Sequence, residues 1–301
     1  MNSSLKTLLF LPIAPVFYLL YRINRAQYPK VMDSLTSLDI LKSSGKSLAR
    51  YGDGELNLIS GSRIGFQSYD PGLAERLKEI LENGNNEVFI GLPDVFHSLS
   101  RFKLEAKLFW LYSVVKNWKR WKQLINNVLP PPISAPKKYL DSLASRFFMD
   151  TEVPELSKAI FSKWRDLWAD RDVVIVEGKF TKMGVGNDMI DNVKSIKRIV
   201  CPDKNAFAKY GSILKSALAA DKNSLFLIAL GPTATVLAYD LGLQGRQAID
   251  SGHLDLEYNW MKADAKKKVA VEGRAVNELG INKPPELRDS DYESQIIKMI
   301  T

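Results

Sequence analysis

Leu35, Leu38, Ile40 and Leu41 recur at helical spacing, and the chain then shifts at Lys46 into a short extended run ending at Tyr51. The first pattern predicts a helix over 34–44 and the second a strand over 46–51. Leu73, Leu77, Ile80 and Leu81 predict a helix that starts at Asp70-Pro71-Gly72 and is closed by Asn83-Gly84-Asn85-Asn86. Residues 87–94 read as a short apolar strand ending in Pro93 and Asp94. After a helix around 156–168, the runs 173–176, 199–201 and 225–230 are apolar throughout, as strands buried on both faces are. Each is followed by a glycine- or proline-bearing loop and a helical pattern. This alternation predicts an α/β fold, Rossmann-like, with a mostly parallel sheet and covering helices over residues 34–275. Beyond Gly273 the chain turns polar. Residues 276–301, with Tyr292, Ile296, Ile297 and Ile300 as an amphipathic piece, read as a C-terminal tail.

Two stretches break the rhythm. Residues 1–33 carry an apolar run over 8–21 that is too short for an ordinary spanning helix, is interrupted by Pro12 and Pro15, and is followed by Arg22, Arg25 and Lys30. Such a segment suits a helix lying against the cytoplasmic face of a membrane; a helix packed on its own domain or on a second subunit is the competing reading. Residues 95–150 read as a basic helical insertion, with Lys116, Lys119, Arg120, Lys122 and Arg146 among its cations and Trp110, Trp118 and Trp121 interleaved. An anionic membrane or lipid-linked acceptor fits it, as does a solvated face over buried tryptophans. Nucleic acid is the weaker partner.

Composition narrows this further. The chain has 301 residues, 46% of them hydrophobic, enough to bury a full core. A net charge of +8 and a pI near 9.3 favour an anionic partner. With Cys201 alone there is no internal disulfide framework, and with His97 and His253 as the two histidines a structural zinc site has too few ligands.

The candidate chemistry falls on the loops after strands. Arg50-Tyr51-Gly52-Asp53-Gly54-Glu55 places two carboxylates two residues apart between glycines, a turn that suits Mn2+ or Mg2+, although Gly-Asp-Gly is also ordinary turn chemistry. Arg50 either joins a phosphate clamp or braces the turn. The loop Gly178, Lys179, Lys182, Gly184, Gly186, Asn187 is expected between a strand and a helix, where backbone amides and two lysines surround a diphosphate. Thr233 either touches a ligand or caps its helix. If His253 begins an extended segment, His253, Asp255 and Glu257 alternate onto one face as candidate catalytic groups.

Taken together, 49–55, 178–188, 201–207, 231–235 and 250–258 resemble the GT-D-type glycosyltransferases, formerly a domain of unknown function, over about 35–268. The resemblance implies an Asp-x-Glu metal motif at Asp53 and Glu55, a nucleotide-sugar donor, most simply uridine-based, and a nucleoside contact at Asn205. It also favours Asp255 as the base of an inverting transfer to a glycan or lipid-linked acceptor in surface glycoconjugate synthesis. A metal-dependent nucleotide phosphoesterase and a non-enzymatic anion-binding membrane adaptor are the alternatives. The location expected is cytoplasmic, peripheral at the cell membrane. Oligomeric state, sugar and linkage are not legible.

Overall fold

The computed structural model describes residues 11–83, 86–126 and 139–301. Pro130-Pro131-Pro132, Lys137 and Lys138 of the expected insertion, and Leu8 to Phe10 of the N-terminal run, lie outside these residues. In chain order the helices are α1 (Ala14–Asn24), α2 (Ser34–Ser44), α3 (Asp53–Ile59), α4 (Pro71–Asn83), α5 (Leu104–Asn126), α6 (Pro154–Trp168), α7 (Tyr210–Ala219), α8 (Pro232–Leu243), α9 (Leu254–Lys262) and α10 (Ser290–Gln295). The strands are β1 (Ser47–Arg50), β2 (Val88–Leu92), β3 (Leu140–Asp141), β4 (Asp172–Gly178), β5 (Ser195–Cys201), β6 (Leu225–Ala229), β7 (Gln247–Asp250) and β8 (Ile296–Met299).

All eight strands join one sheet in the order β3-β2-β1-β7-β6-β4-β5-β8, and every neighbouring pair is parallel. The apolar runs alternate strictly between its faces. Leu48, Val173, Ile175, Leu225, Leu227 and Ile249 pack beneath α2, α6 and α9, whereas Val174, Val176, Phe226, Ile228 and Ala248 pack beneath α7 and α8. Burial on both faces explains why these strands carry no polar alternation. Local signals set several helix ends. Asp33 accepts from the Thr36 amide at 3.0 Å to start α2, left-handed Gly45 stops it, and Asp70 accepts from the Leu73 amide at 2.9 Å to start α4.

From β1 the chain runs outward to β2 and β3. It then builds the other wing and returns, so that β7 lies beside β1, with Leu48 opposite Ile249. The carboxyl ends of β1 and β7 therefore form the crevice at which open α/β sheets hold ligands.

Several expectations change. No helix follows β4: residues 179–194 run through successive turns straight into β5, because Lys182, Gly184 and Gly186 all adopt positive φ and an α-helix cannot continue through them. Residues 276–301 are not merely a tail, since β8 extends the sheet beside β5. Residues 95–150, read as a basic helical insertion, contribute a strand as well as a helix: β3 pairs with β2, and Trp110 and Trp121 of α5 are buried in the core. The Tyr21 hydroxyl of α1 donates to the Val95 carbonyl at 2.8 Å, so the N-terminal helix packs on its own domain. Among the described residues, no helix is long and apolar enough to cross a membrane.

Candidate functional site

β1 ends in Arg50, whose side chain crosses the crevice to β7. Its Nε lies 3.2 Å from Asp250 Oδ1, and its Nη1 donates to Ser145 Oγ at 2.6 Å and to the Ser142 carbonyl. The space for it comes from glycine. A Cβ on Gly252, at φ +51°, would sit 2.0 Å from Arg50 Nη2, and one on Gly91 would press on Leu48, Ser142 and Arg50. Thr235 on α8 donates to the Arg50 carbonyl at 2.8 Å, which ties the same residue to the opposite face.

Asp53 and Glu55 occupy the first turn of α3, where carboxylates favour the helix dipole. Glu55 Oε2 accepts from the Gly52 amide at 2.7 Å, a cap that leaves Oε1 to other partners. Burial and the neighbouring Asp250 carboxylate push Glu55 up to about 7. Burial also raises Asp250, against the pull of Arg50. Glu55 thus feels the Asp250 carboxylate across the β1–β7 edge, and Asp53 opens the same helical turn. Among the described residues, no three His, Cys, Asp or Glu side chains form a ready metal cage. Two carboxylates nevertheless fit a hard cation such as Mg2+ or Mn2+, which keeps water and takes phosphate oxygens for the rest of its shell.

Across from them stands Arg146, just after the 3-10 turn that follows β3. Its guanidinium lies 3.3 Å from Glu278 Oε1 and 3.2 Å from His253 Nδ1. Burial works against its charge, but Glu278, Asp150, Glu257 and Asp53 outweigh this and raise its pKa. Burial together with Arg146 pushes His253 down to about 3, so the ring is neutral near pH 7. Glu278 is held below the usual carboxylate range, because its neighbours His253, Arg146 and Lys268 together overcome its burial.

The 250–258 stretch departs from the expected geometry. Leu254–Lys262 is helix α9 and not an extended segment, so His253, Asp255 and Glu257 do not alternate onto a common face. Asp255 is buried, its Oδ1 accepting from the Gly184 amide at 2.8 Å and its Oδ2 facing Arg274 Nε at 3.0 Å. Glu257 turns the other way: its Oε2 accepts from the Phe148 and Met149 amides, and burial and Asp150 push it up to about 7. Only His253 reaches the crevice, through Arg146.

The glycine loop also differs in what it holds. Its Met183 and Gly184 amides already bind the carboxylates of Glu177 and Asp255. Asn187 Oδ1 accepts from the Met189 amide, and its Nδ2 faces Asp255 and Asn259. Lys182 donates to the Leu287 carbonyl, turned toward the C-terminal segment. Lys179 is exposed at the end of β4, beside buried Gly178, and remains a cation that a phosphate can reach. A Cβ on Gly184 would lie 2.5 Å from Ile190, whereas one on Gly186 meets open space. Gly184→Ala is therefore expected to cost about 2–4 kcal/mol from overpacking added to left-handed strain, and Gly186→Ala about 1 kcal/mol. Urea unfolding of the two variants measures the difference; equal losses would refute the packing role of Gly184.

Asn205, itself left-handed, accepts from the Ser68 amide at 2.8 Å and so braces the 64–68 turn against the β5 loop. Thr233 is fully buried, does not cap α8, and leaves its Oγ1 without a partner. Asp94, at the end of β2, is half-buried; burial and Asp141 push it up to about 6. Arg146, Arg274 and Glu278 were not singled out by spacing. Arg146 and His253 are 107 positions apart, and nothing local announces their meeting.

The family model described as "Glycosyltransferase GT-D fold" matches residues 48–279, from β1 to just beyond Glu278. The chain is similar to a probable glycosyl transferase Gly of Streptococcus gordonii, 39% identical over 263 residues, covering 87% of this chain and 37% of that protein. It is also similar to glycosyltransferase GlyD of Streptococcus pneumoniae, 35% identical over 266 residues, covering 88% of this chain and 32% of that protein. It therefore spans about a third of the length of these curated relatives. A solved structure of domain of unknown function 1792, described as having a distinct glycosyltransferase fold, superposes with a TM-score of 0.86 at 36% identity, covering 95% of this chain and all of that one. A second, described as a new glycosyltransferase from Streptococcus sanguinis, gives 0.83 at 37% identity, covering 91% of this chain and all of that one.

Proposed function

The chain belongs to the glycosyltransferase GT-D fold family, and from that premise we propose metal-dependent transfer of a sugar from a nucleoside diphosphate donor, uridine-based, to a hydroxyl of a glycan or lipid-linked acceptor. What supports this most is the meeting of Glu55 with Asp250 at the β1–β7 switch point, with Arg50 paired to Asp250 and Asp53 in the α3 turn within the field of Arg146. A bound cation would be held by Asp53 and Glu55, and it would supply positive charge to the diphosphate as it leaves. The residues around it have separate tasks. Arg50 is fixed in place by Asp250, Ser142 and Ser145, so its guanidinium is oriented before any ligand arrives. Arg146 and Lys179 add cations that meet phosphate oxygens, and neutral His253 accepts a hydrogen bond from Arg146 at the crevice wall.

The acceptor proton needs a base with an open carboxylate or ring. Asp255 has both oxygens engaged by Gly184 and Arg274, so its part is to position the loop between β4 and β5. Asp94 is the better candidate: it stands on the neighbouring strand end, partly open to solvent, with a pKa raised to about 6. A base acts when deprotonated, so the single-turnover rate should rise as pH increases through about 6 and then level off. Asp94→Asn should lower that rate by roughly two to four orders of magnitude and abolish the limb while donor affinity is kept. An unchanged pH profile in the variant would remove Asp94 from the chemistry.

A panel of nucleotide sugars with manganese and candidate acceptors tests the whole reading. Acceptor-dependent release of nucleoside diphosphate supports transfer. Acceptor-independent cleavage of simple nucleotides makes the protein a phosphoesterase, and binding without turnover makes it an adaptor.

A further inference from the structure

Helix α1 is apolar on two sides. Ala14, Phe17 and Tyr21 turn inward onto the core beside α5, and the Tyr21 hydroxyl fastens the helix to the Val95 carbonyl. Val16, Leu19, Leu20 and Ile23, spaced i, i+3, i+4, i+7, form a second stripe that faces solvent, with exposures of 60, 61, 40 and 63%. Leu11 and Ile13 prolong it at the amino end. A helix packed on its own domain has no structural use for a second apolar stripe, and a continuous exposed one marks an interaction surface.

The adjoining surface is basic. Phe17 stacks on Tyr112 of α5 at 5.8 Å between ring centroids, which brings the two helices edge to edge. Tyr112 belongs to the outer stripe of α5, together with exposed Phe109, Lys116, Lys119 and Arg120. Arg22, Arg25 and Lys30 flank the apolar stripe on α1 and just beyond it, and neither α1 nor the outer stripe of α5 from Phe109 onward carries an acid. Aliphatic side chains next to lysines and arginines that no acid on either helix face offsets match a lipid bilayer with anionic headgroups. A protein partner would need its own acidic patch around an apolar centre to match the same surface. One short apolar stripe gives marginal attachment, and a basic patch provides the second contact that reversible anchoring requires.

We propose that the face formed by α1 and the outer stripe of α5 docks on an anionic lipid bilayer, the apolar stripe of α1 entering the headgroup boundary and the α5 cations meeting lipid phosphates. The inference does not depend on the transfer reaction, and its test reads binding alone. The full chain is sedimented with vesicles of phosphatidylcholine, with and without phosphatidylglycerol. At low salt, binding to the anionic vesicles should exceed binding to the neutral ones by at least tenfold, and raising the salt should weaken it. Leu19→Glu/Leu20→Glu should abolish it. Lys116→Gln/Lys119→Gln/Arg120→Gln, which changes exposed positions and leaves the apolar stripe intact, should lower the partition coefficient by roughly a hundredfold, about tenfold or less per cation. Thermal melting of each variant confirms that the fold is retained. Equal binding to neutral and anionic vesicles, or wild-type binding by either variant, would overturn the proposal. So would a dimer in sedimentation equilibrium that Leu19→Glu/Leu20→Glu dissolves, because the stripe would then belong to a second copy.

Discussion

Asp53→Asn is expected to lower acceptor-dependent turnover by roughly two to three orders of magnitude with the fold intact, as the loss of one charge-stabilising group at a leaving diphosphate does. Asp53 sits in the first turn of α3, and an asparagine there keeps the shape of the side chain while removing its charge. Glu55→Gln should lose activity similarly. A glutamine carbonyl still accepts from the Gly52 amide, so the α3 cap survives and only the charge is removed. Glu55→Ala, in contrast, should also cost about 1 kcal/mol of stability through the lost cap. Steady-state rates with manganese, with magnesium and with excess chelator, alongside urea unfolding, separate these effects. Undiminished turnover in both conservative variants, or full activity in chelator, would mean that the two carboxylates only shape the turn.

The largest effect on stability is expected away from the crevice, at the ion pair between Glu177 on β4 and Arg198 on β5. Both side chains are almost fully enclosed, at 0 and 2% exposure, and their atoms lie 2.7 Å apart. The pair is connected further: Arg198 donates to the Met183 carbonyl and to Gln295, and Glu177 accepts from the Met183 amide. Burial raises Glu177 and Arg198 opposes it, so the carboxylate depends on its partner to stay charged. Arg198→Met strands that carboxylate in the core and should cost about 3–5 kcal/mol. For a chain of this size the midpoint of thermal unfolding should fall by roughly 5–8 °C. Adding Glu177→Gln to the same chain should recover part of the loss, because replacing a buried pair is cheaper than breaking it. A midpoint unchanged within error in Arg198→Met would show that water reaches the pair. The same cluster joins the glycine loop to α10 and β8, so its loss should also loosen the segment that carries Lys179.

The sequence by itself determined the α/β architecture and put the candidate chemistry on loops after strands. The runs at 173–176, 199–201 and 225–230 announced buried parallel strands, because a strand covered on both faces needs apolar side chains at every position. Helices α2 and α4 were legible through their periodicity, and α4 also through its Asp70-Pro71-Gly72 start, signals that act over three or four residues. Asp53 and Glu55 stood out as a pair because their relation is local too. Four features were decided by tertiary structure alone. Asp255 became a buried brace because Arg274 and the Gly184 amide converge on it from distant loops. The expected helix after β4 was replaced by turns whose amides are satisfied by Glu177 and Asp255, partners that no window around 178–188 contains. The short strands β3 and β8 exist because the sheet offers them an edge, their own residues being too few or too exposed to signal a strand. Arg146, one cation among many in a basic stretch, acquired its place beside His253 and Glu278 only when folding set β3 next to β2. Hydrophobic periodicity and capping are short-range and can be read along a chain, whereas the pairing of buried charges depends on which loops the sheet order brings together.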